Sequence, residues 1–518
     1  MRLNQHIIPS INYADQNQRS DKIFLGIIVV LAAFLRLAYF IEIQDNPLPF
    51  YVSQMKGFDQ ELFMSLAHRL VDTHWLGSND VVQSPAYSYL MAFLFNIFGK
   101  VLNVVFLFQI SFGILAVYIF YKVTTLLFDN PDVGLVCAFV AAFYSPFIYY
   151  ECVTLREIMI AYLNLLSFYF LLRAIHQGKF LYFFEAGIMV GLSVVLRPNI
   201  LPFFILLYIL IAIKDTLRVK IPYVFLFILG LAFFITPPIA VRNKILGYQM
   251  LLERSNFVFW LSNSYDASGF GGSPTPIAEK LGREANGKIF DTLIILIREI
   301  YDHLKEYIGL YGRKFKMLFN GYEIPANLSY DLFKENSTIL KIAFFNFSIV
   351  SPLAILGLFL MWGKFREGGL LYLYFFVLNI FILLFHIQSR MRVQVIPFSI
   401  ILAAYCLYWL ICMLKKRNFR ALSCALVCLA AVSFFTKPDE QTIKKYFLSR
   451  IRPLDYMNMA NAYLHRYRMK LGRITAQEKQ EIFVKVLENY NKGLNISPDS
   501  DRGKWSLPEF LQEQNRQN

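Results

Sequence analysis

The sequence predicts an all-helical polytopic membrane protein, and three observations predict it. Hydrophobic residues make up 57% of the chain and charged residues 17%, against about 45–50% and about 25% in soluble domains. The apolar residues come in runs near the roughly 20 residues needed to cross a bilayer, about eleven of them. Lys and Arg collect in alternate short loops, the asymmetry that orients membrane chains. The formal net charge of +15 then belongs to cytoplasmic loops and anionic lipid, and a nucleic-acid partner is not expected. The six cysteines sit in or beside apolar runs and read as small core residues.

Residues 1–22 are polar, too polar for a cleavable leader, and form a cytoplasmic tail. Span 1 is Ile23 to Ile43 and carries Arg36. A charge inside a span calls for a partner or a function, or snorkels to the headgroups. A first outer loop, 44–103, follows. In it Gly57 to Leu70 puts Asp59 and Glu61 ahead of Leu62, Phe63, Leu66, Ala67 and Leu70, apolar at helical spacing. That pattern predicts an amphipathic helix on the membrane surface. The apolar piece Ser88 to Phe98 is short for a span and reads as interfacial or re-entrant.

Spans 2 to 7 are Val104–Phe128, Val133–Tyr149, Val153–Ala174, Phe180–Leu196, Ile200–Ile213 and Ile221–Ala240. Turn signals separate them at Pro131 and Pro198. A second outer loop covers 241–341, with an amphipathic helix expected around Phe290 to Tyr311. Spans 8 to 11 are Ile342–Trp362, Leu370–Ile387, Val393–Leu414 and Ala421–Phe435. The transmembrane domain is thus 23–436, and 437–518 is a soluble tail. Its two amphipathic helices around Gly472-Arg473 look like one tetratricopeptide unit. One unit cannot bury a continuous core, so the tail is expected to pack as a hairpin on its own membrane domain. With the N-terminus inside, Lys214, Lys220, Lys364, Lys415 and Lys416 fall in cytoplasmic loops. The outer face then receives the Asp59 loop, Glu151, Arg156, Glu157, Arg197, Arg242, Arg390, Arg392 and the tail.

That outer face is rich in arginine and poor in carboxylates. Arginines grip phosphate bidentately and stay charged. A carboxylate beside them can take a proton from a hydroxyl. The combination suits transfer from a lipid phosphate to an alcohol or amine, because the leaving phosphate is held by arginine. Each residue also has a plainer role: Asp59 can cap its helix, and single arginines can anchor to headgroups.

Several short elements add to this: Phe34-Leu-Arg36, Phe58-Asp-Gln-Glu61, Gln83-Ser-Pro-Ala-Tyr87, Leu155-Arg-Glu157, Gly191-Leu-Ser-Val-Val-Leu-Arg-Pro198, Val241-Arg-Asn243, Asn263-Ser-Tyr-Asp-Ala-Ser-Gly269 and Ser389-Arg-Met-Arg392. In this order, from span 1 to span 10, the set resembles the GT-C glycosyltransferases. It is most similar to their family-39 group, the protein O-mannosyltransferases and the aminoarabinose transferase of lipid A. The resemblance implies a GT-C-type helical bundle and a polyprenyl-phosphate-linked sugar donor. The acceptor would be a lipid, glycan or protein, and transfer would occur with inversion at the outer face of a bacterial inner membrane. It implies Asp59 as the base, with Arg156, Arg197, Arg242, Arg390 and Arg392 on donor phosphate or sugar. Glu61, Glu151 and Glu157 support them. The family's Asp-Glu pair is split here by Gln60, its Lys-Pro-Pro lysine is Gln83, and Met391 replaces a tyrosine. No cofactor is called for; a divalent metal is left open, with no ligand motif. A lipid-linked sugar transporter would show internal repeats and helices interrupted at the midplane, and no repeat is evident. A non-catalytic scaffold would make Asp59 and the arginines dispensable. Asn327-Leu-Ser329 and Asn336-Ser-Thr338 fit the glycosylation pattern by chance as easily as by use.

Overall fold

A computed structural model describes residues 15–73, 86–179, 181–197, 201, 222, 224–233, 255–271, 274–286, 288–362, 365–470 and 474–498. The described part is an all-helical bundle. Among its helices, five are long and apolar enough to cross a membrane and six shorter ones are also apolar. The protein is an integral, polytopic membrane protein. Most of expected spans 6 and 7, with Gln83 and Arg242, lies outside the described residues.

Helix α1 (Asp15–Ile43) shows why the bundle needs a bilayer. Its buried side holds Ala32, Leu35, Arg36, Tyr39 and Ile43. Its exposed side holds Ile23, Ile27, Val30, Phe34, Leu37 and Ile41, recurring every three or four residues. An exposed apolar stripe of that length is a lipid-facing surface. Past α1 come the short α2 (Leu48–Val52), the amphipathic α3 (Asp59–Asp72) and α4 (Ala86–Phe98), which packs against α3. Helix α5 (Leu102–Phe128) packs on α1.

The structure corrects expected span 3. It is two helices, α6 (Pro131–Ala142) and α7 (Ser145–Glu151), with Phe143 and Tyr144 between them. Pro146 has no N–H to give the carbonyl four residues back, Ala142, so the ladder fails there. Two groups use the gap. The Ala142 carbonyl accepts from Arg36 Nη1 at 3.4 Å. The Ser145 N–H reaches the Phe345 carbonyl at 2.9 Å. A proline inside an apolar run, visible in the sequence, was the signal.

Helices α8 (Glu157–Gln177) and α9 (Leu181–Leu196) pack side by side, followed by α10 (Val224–Phe233). The second loop folds as α11 (Ser255–Asn263), α12 (Pro276–Glu284), α13 (Ile289–Asp302), α14 (Leu304–Phe319), α15 (Tyr330–Glu335) and α16 (Thr338–Ile342). Glu42, at the end of α1, accepts from the N–H groups of Thr338 and Ile339 and so ties that loop down. The last bundle helices are α17 (Phe347–Leu360), α18 (Phe365–Leu384), α20 (Ile396–Lys415) and α21 (Phe419–Thr436), with the single turn α19 (Ser389–Arg392) before α20.

The tail starts with α22 (Glu440–Phe447). Helices α23 (Pro453–Lys470) and α24 (Ala476–Ile496) then form a hairpin. Thr475 and Glu478 build a capping box at the start of α24. The hairpin packs Met457, Ala460, Leu464 and Tyr467 against Val486 and Tyr490. It docks on the rest of the chain: Tyr456 donates to Glu335 at 2.8 Å, Lys492 pairs with Glu335 at 3.0 Å, and Arg452 donates to the Ala326 carbonyl at 2.9 Å. The tail therefore sits at the end of the bundle that holds the Asp59 loop. The Lys415–Lys416 turn is at the far end of α20, about 30 Å away for a 20-residue helix.

Candidate active site

Asp59 is the first residue of α3, and the N-cap is Phe58, which offers no capping oxygen. Its carboxylate instead forms a short ion pair with Arg390 Nη1. The helix N-terminus adds a favourable partial charge. Burial pushes the Asp59 carboxyl up, but Arg390, Arg156 and a hydrogen bond from Asn327 outweigh it and hold it below the usual carboxylate range. The side chain is still 39% exposed, so an incoming group can reach it. Asn327 also donates to Gln60 Oε1 at 3.1 Å. The sequence showed Asn327 only as part of a glycosylation pattern. Glu61 is half-buried two positions on.

Arg156 is the residue before α8, and its guanidinium lies over the Phe63 ring, one turn into α3, at 5.4 Å. Burial pushes its pKa down, while Glu157 and Asp59 pull it up. Arg197, one residue past α9, pairs with Glu157 Oε1 at 3.3 Å. Burial and the neighbouring Arg156 and Arg390 push Arg197 down to about 9, against the pull of Glu157, so it remains charged at neutral pH. Burial opposes the charge on Arg390 as well, but Asp59 and Glu157 more than restore it. Asp59, Arg156, Glu157, Arg197 and Arg390 thus form one electrostatic cluster, drawn from four separated stretches of chain.

The structure separates two expected members from this cluster. Arg392 is corrected from donor contact to internal strut. It is 2% exposed, pairs with Glu323 at 2.9 Å and donates to the Asn320 and Tyr322 carbonyls at 2.7 and 3.1 Å. The Phe347 ring closes its other side at 3.9 Å. Its hydrogen-bonding edge is committed inside the fold. Glu151 pairs with Arg36 at 2.9 Å inside the bundle and accepts from the Tyr162 hydroxyl. This pair answers the intramembrane charge of span 1.

Two residues that sequence reading left without a role border the cluster. Lys314 of α14 is buried, and its ammonium donates to Asn263 Oδ1 at 2.9 Å and to the Leu383 carbonyl at 3.1 Å. Burial pushes it down to about 7. Asn263 also donates to the Leu384 carbonyl at 2.8 Å. The Asn263 element therefore fastens α14 to the end of α18, where the Arg390 segment begins. His386 lies in that segment, 8% exposed. Burial, helped by Arg390, Arg197 and Lys314, pushes it down to about 3, so it is neutral at physiological pH. Among the described residues no group of three His, Cys, Asp or Glu is placed to hold a metal ion.

Comparison with known proteins gives one family match. Residues 82–239 match the family model of the dolichyl-phosphate-mannose-protein mannosyltransferases. That segment contains Glu151, Arg156, Glu157 and Arg197, and leaves out Asp59 and Arg390. No curated protein matches the chain. Among solved structures, the oligosaccharyltransferase of Archaeoglobus fulgidus with a tethered acceptor peptide is 15% identical, covering 90% of this chain, with a TM-score of 0.43. Its apo form is 13% identical, with a TM-score of 0.42. The chain spans 59% of the length of that enzyme. Likeness of this degree fixes neither fold nor activity. The family match supports a glycosyltransferase of the GT-C superfamily.

Proposed function

We propose that the protein transfers a sugar from a polyprenyl-phosphate donor to a hydroxyl or amine acceptor at the outer membrane face, with inversion. The observation that carries this reading is the Asp59–Arg390 pair set among Arg156, Glu157 and Arg197. One carboxylate open to solvent beside three arginines is the layout a lipid-phosphate leaving group needs. Arg390, Arg156 and Arg197 hold the phosphate, and Glu157 orients Arg197. Arg242 joins them on the family resemblance alone. The acceptor is a lipid, glycan or protein.

The ion pair gives the reaction an order. In the resting protein Asp59 neutralises the arginine that is to hold the phosphate. A donor phosphate competes for the same guanidinium and loosens Asp59 from it. Burial then dominates the carboxylate and makes it a better proton acceptor. Asp59 takes the acceptor proton as the acceptor attacks the anomeric carbon from the face opposite the phosphate. The phosphate departs with its charge on the arginines.

The test is transfer from radiolabelled polyprenyl-phosphate sugars to an acceptor extract by purified protein in nanodiscs. Label in acceptor that depends on Asp59 supports the reading. A second reading, in which the pair only ties α3 to α19, predicts no label and full stability dependence on both residues.

A further inference from the structure

We propose that Gln388 is a positioning residue that aims Arg390 at Asp59 and at the donor phosphate; the donor half of this rests on the function proposed above. Gln388 precedes α19 and uses both ends of its side-chain amide. Its Nε2 donates to the Phe270 carbonyl at 3.0 Å, and its Oε1 accepts from Arg390 Nε at 3.0 Å. The amide orientation is thereby set, since only the oxygen can face a guanidinium.

The far end of this link is anchored. Phe270 is 4% exposed, with its ring against Tyr446 at 5.3 Å and Phe447 at 5.5 Å, both on α22. The Ile387 N–H donates to the Gly269 carbonyl at 2.9 Å, so the two segments are paired next to the amide as well. Gly271 has φ +78, and a Cβ there would lie 3.1 Å from Gln388 Nε2. Glycine leaves room for the amide to sit where it does.

The near end explains why aim matters. A guanidinium presents its five N–H groups in one plane. With Nε held by Gln388, that plane is set and the Nη edge faces Asp59. Arg390 alone is a long side chain with many rotamers, and ordering it costs binding free energy. Gln388 meets that cost in the resting protein. Arg392, two residues on, has its own cage, so the segment stays folded when Gln388 changes.

The experiment uses the full chain in nanodiscs with Gln388→Met, which keeps length and removes both hydrogen bonds. Gln388→Leu, which also removes both hydrogen bonds and leaves Gly271 untouched, is the second variant should Gln388→Met fold poorly. Undecaprenyl phosphate is the probe. Gln388→Met weakens its binding by roughly tenfold, the scale of a lost charge-assisted hydrogen bond. In an Arg390→Ala background the same change moves binding by less than about twofold, because Gln388 acts through Arg390. Equal losses in both backgrounds, or no loss in either, overturn the proposal. A second readout needs no donor: an isotope-edited infrared titration of the Asp59 carboxyl, whose charged neighbours are Arg390, Arg156 and Arg197, with the titratable His386 also in range. The midpoint rises by about one unit in Gln388→Met as Arg390 drifts from it; an unchanged midpoint refutes the positioning role. If the wild-type protein binds no undecaprenyl phosphate, the lipid-phosphate reading falls and the infrared titration still decides Gln388.

Discussion

Gly113 lies in the middle of α5, facing the Arg36–Glu151 pair, and Gly113→Ala should unsettle that pair without touching either residue. A Cβ at Gly113 would lie 2.1 Å from Glu151 Oε1 and 2.9 Å from Arg36 Nε. Ordinary carbon–oxygen contact is about 3.3 Å, so the carboxylate must retreat by roughly 1 Å. It has little room: Arg36 is 1% and Glu151 0% exposed, and the Tyr162 hydroxyl holds the same oxygen. Overpacking alone costs about 1–3 kcal/mol, and a buried pair broken by loss of one partner about 3–5 kcal/mol. The expected destabilisation is therefore about 3 kcal/mol. The assay is reversible unfolding of the purified protein by detergent titration. Glu151→Gln removes the charge, so in that background Gly113→Ala should cost only the overpacking term, a coupling of about 1 kcal/mol or more. A cost within about 0.5 kcal/mol of zero, or the same cost in both backgrounds, would refute the claim that this pair is a packed unit.

Further expectations follow from the site and its surroundings. Arg390→Ala should leave the fold intact and impair donor binding, whereas Arg392→Ala, which strands buried Glu323, should lower unfolding stability by about 3–5 kcal/mol; thermal unfolding and donor binding measured on both variants separate the two arginines. Asp59 is held below the usual carboxylate range, so its ionised form persists into more acid solution than a free carboxylate's and the acid limb of kcat/KM lies correspondingly low. Arg390→Ala removes its chief partner and leaves burial, so that limb should move upward. No limb near 6.5 should come from His386, which is already neutral; an unchanged profile shape in His386→Gln checks this. For topology, an impermeant thiol reagent should reach a cysteine placed at Gln480 in the tail but not one at Arg417 beyond α20, in a cysteine-free background of intact cells.

Much of the fold was legible because it depends on local pattern. Runs such as Leu102–Phe128 and Ile396–Lys415 declare themselves by length and apolarity. Arg36, charged inside a run, called for either a partner or a route to the headgroups, and Glu151 is its partner. Helix α3 was legible in the helical spacing of Leu62, Phe63, Leu66, Ala67 and Leu70, and Asp59 is its first residue rather than its cap. The rest depends on contacts distant in sequence, or on a single proline inside an apolar run. Pro146 sits inside one continuous apolar run, yet it breaks the helix and frees a carbonyl for Arg36. Arg390 and Arg392 look equivalent in Ser389-Arg-Met-Arg392. Two residues of a helical turn point to different sides, and only the fold shows Glu323 waiting for one and Asp59 for the other. Lys314, Asn263 and Gln388 gain their roles from pairings between α11, α14 and the segment after α18, and no spacing in the sequence encodes those.

The most direct measurement is sugar transfer by Asp59→Asn, with donor binding measured on the same protein. Asparagine keeps the shape and removes the charge. It also frees Arg390 from its ion pair, so donor phosphate should bind as tightly as in the wild type or more tightly. Without a base, transfer should fall by roughly 10²–10⁴-fold. Near-normal transfer by folded Asp59→Asn protein would contradict the account, and would leave the Asp59–Arg390 pair as a tie between α3 and α19.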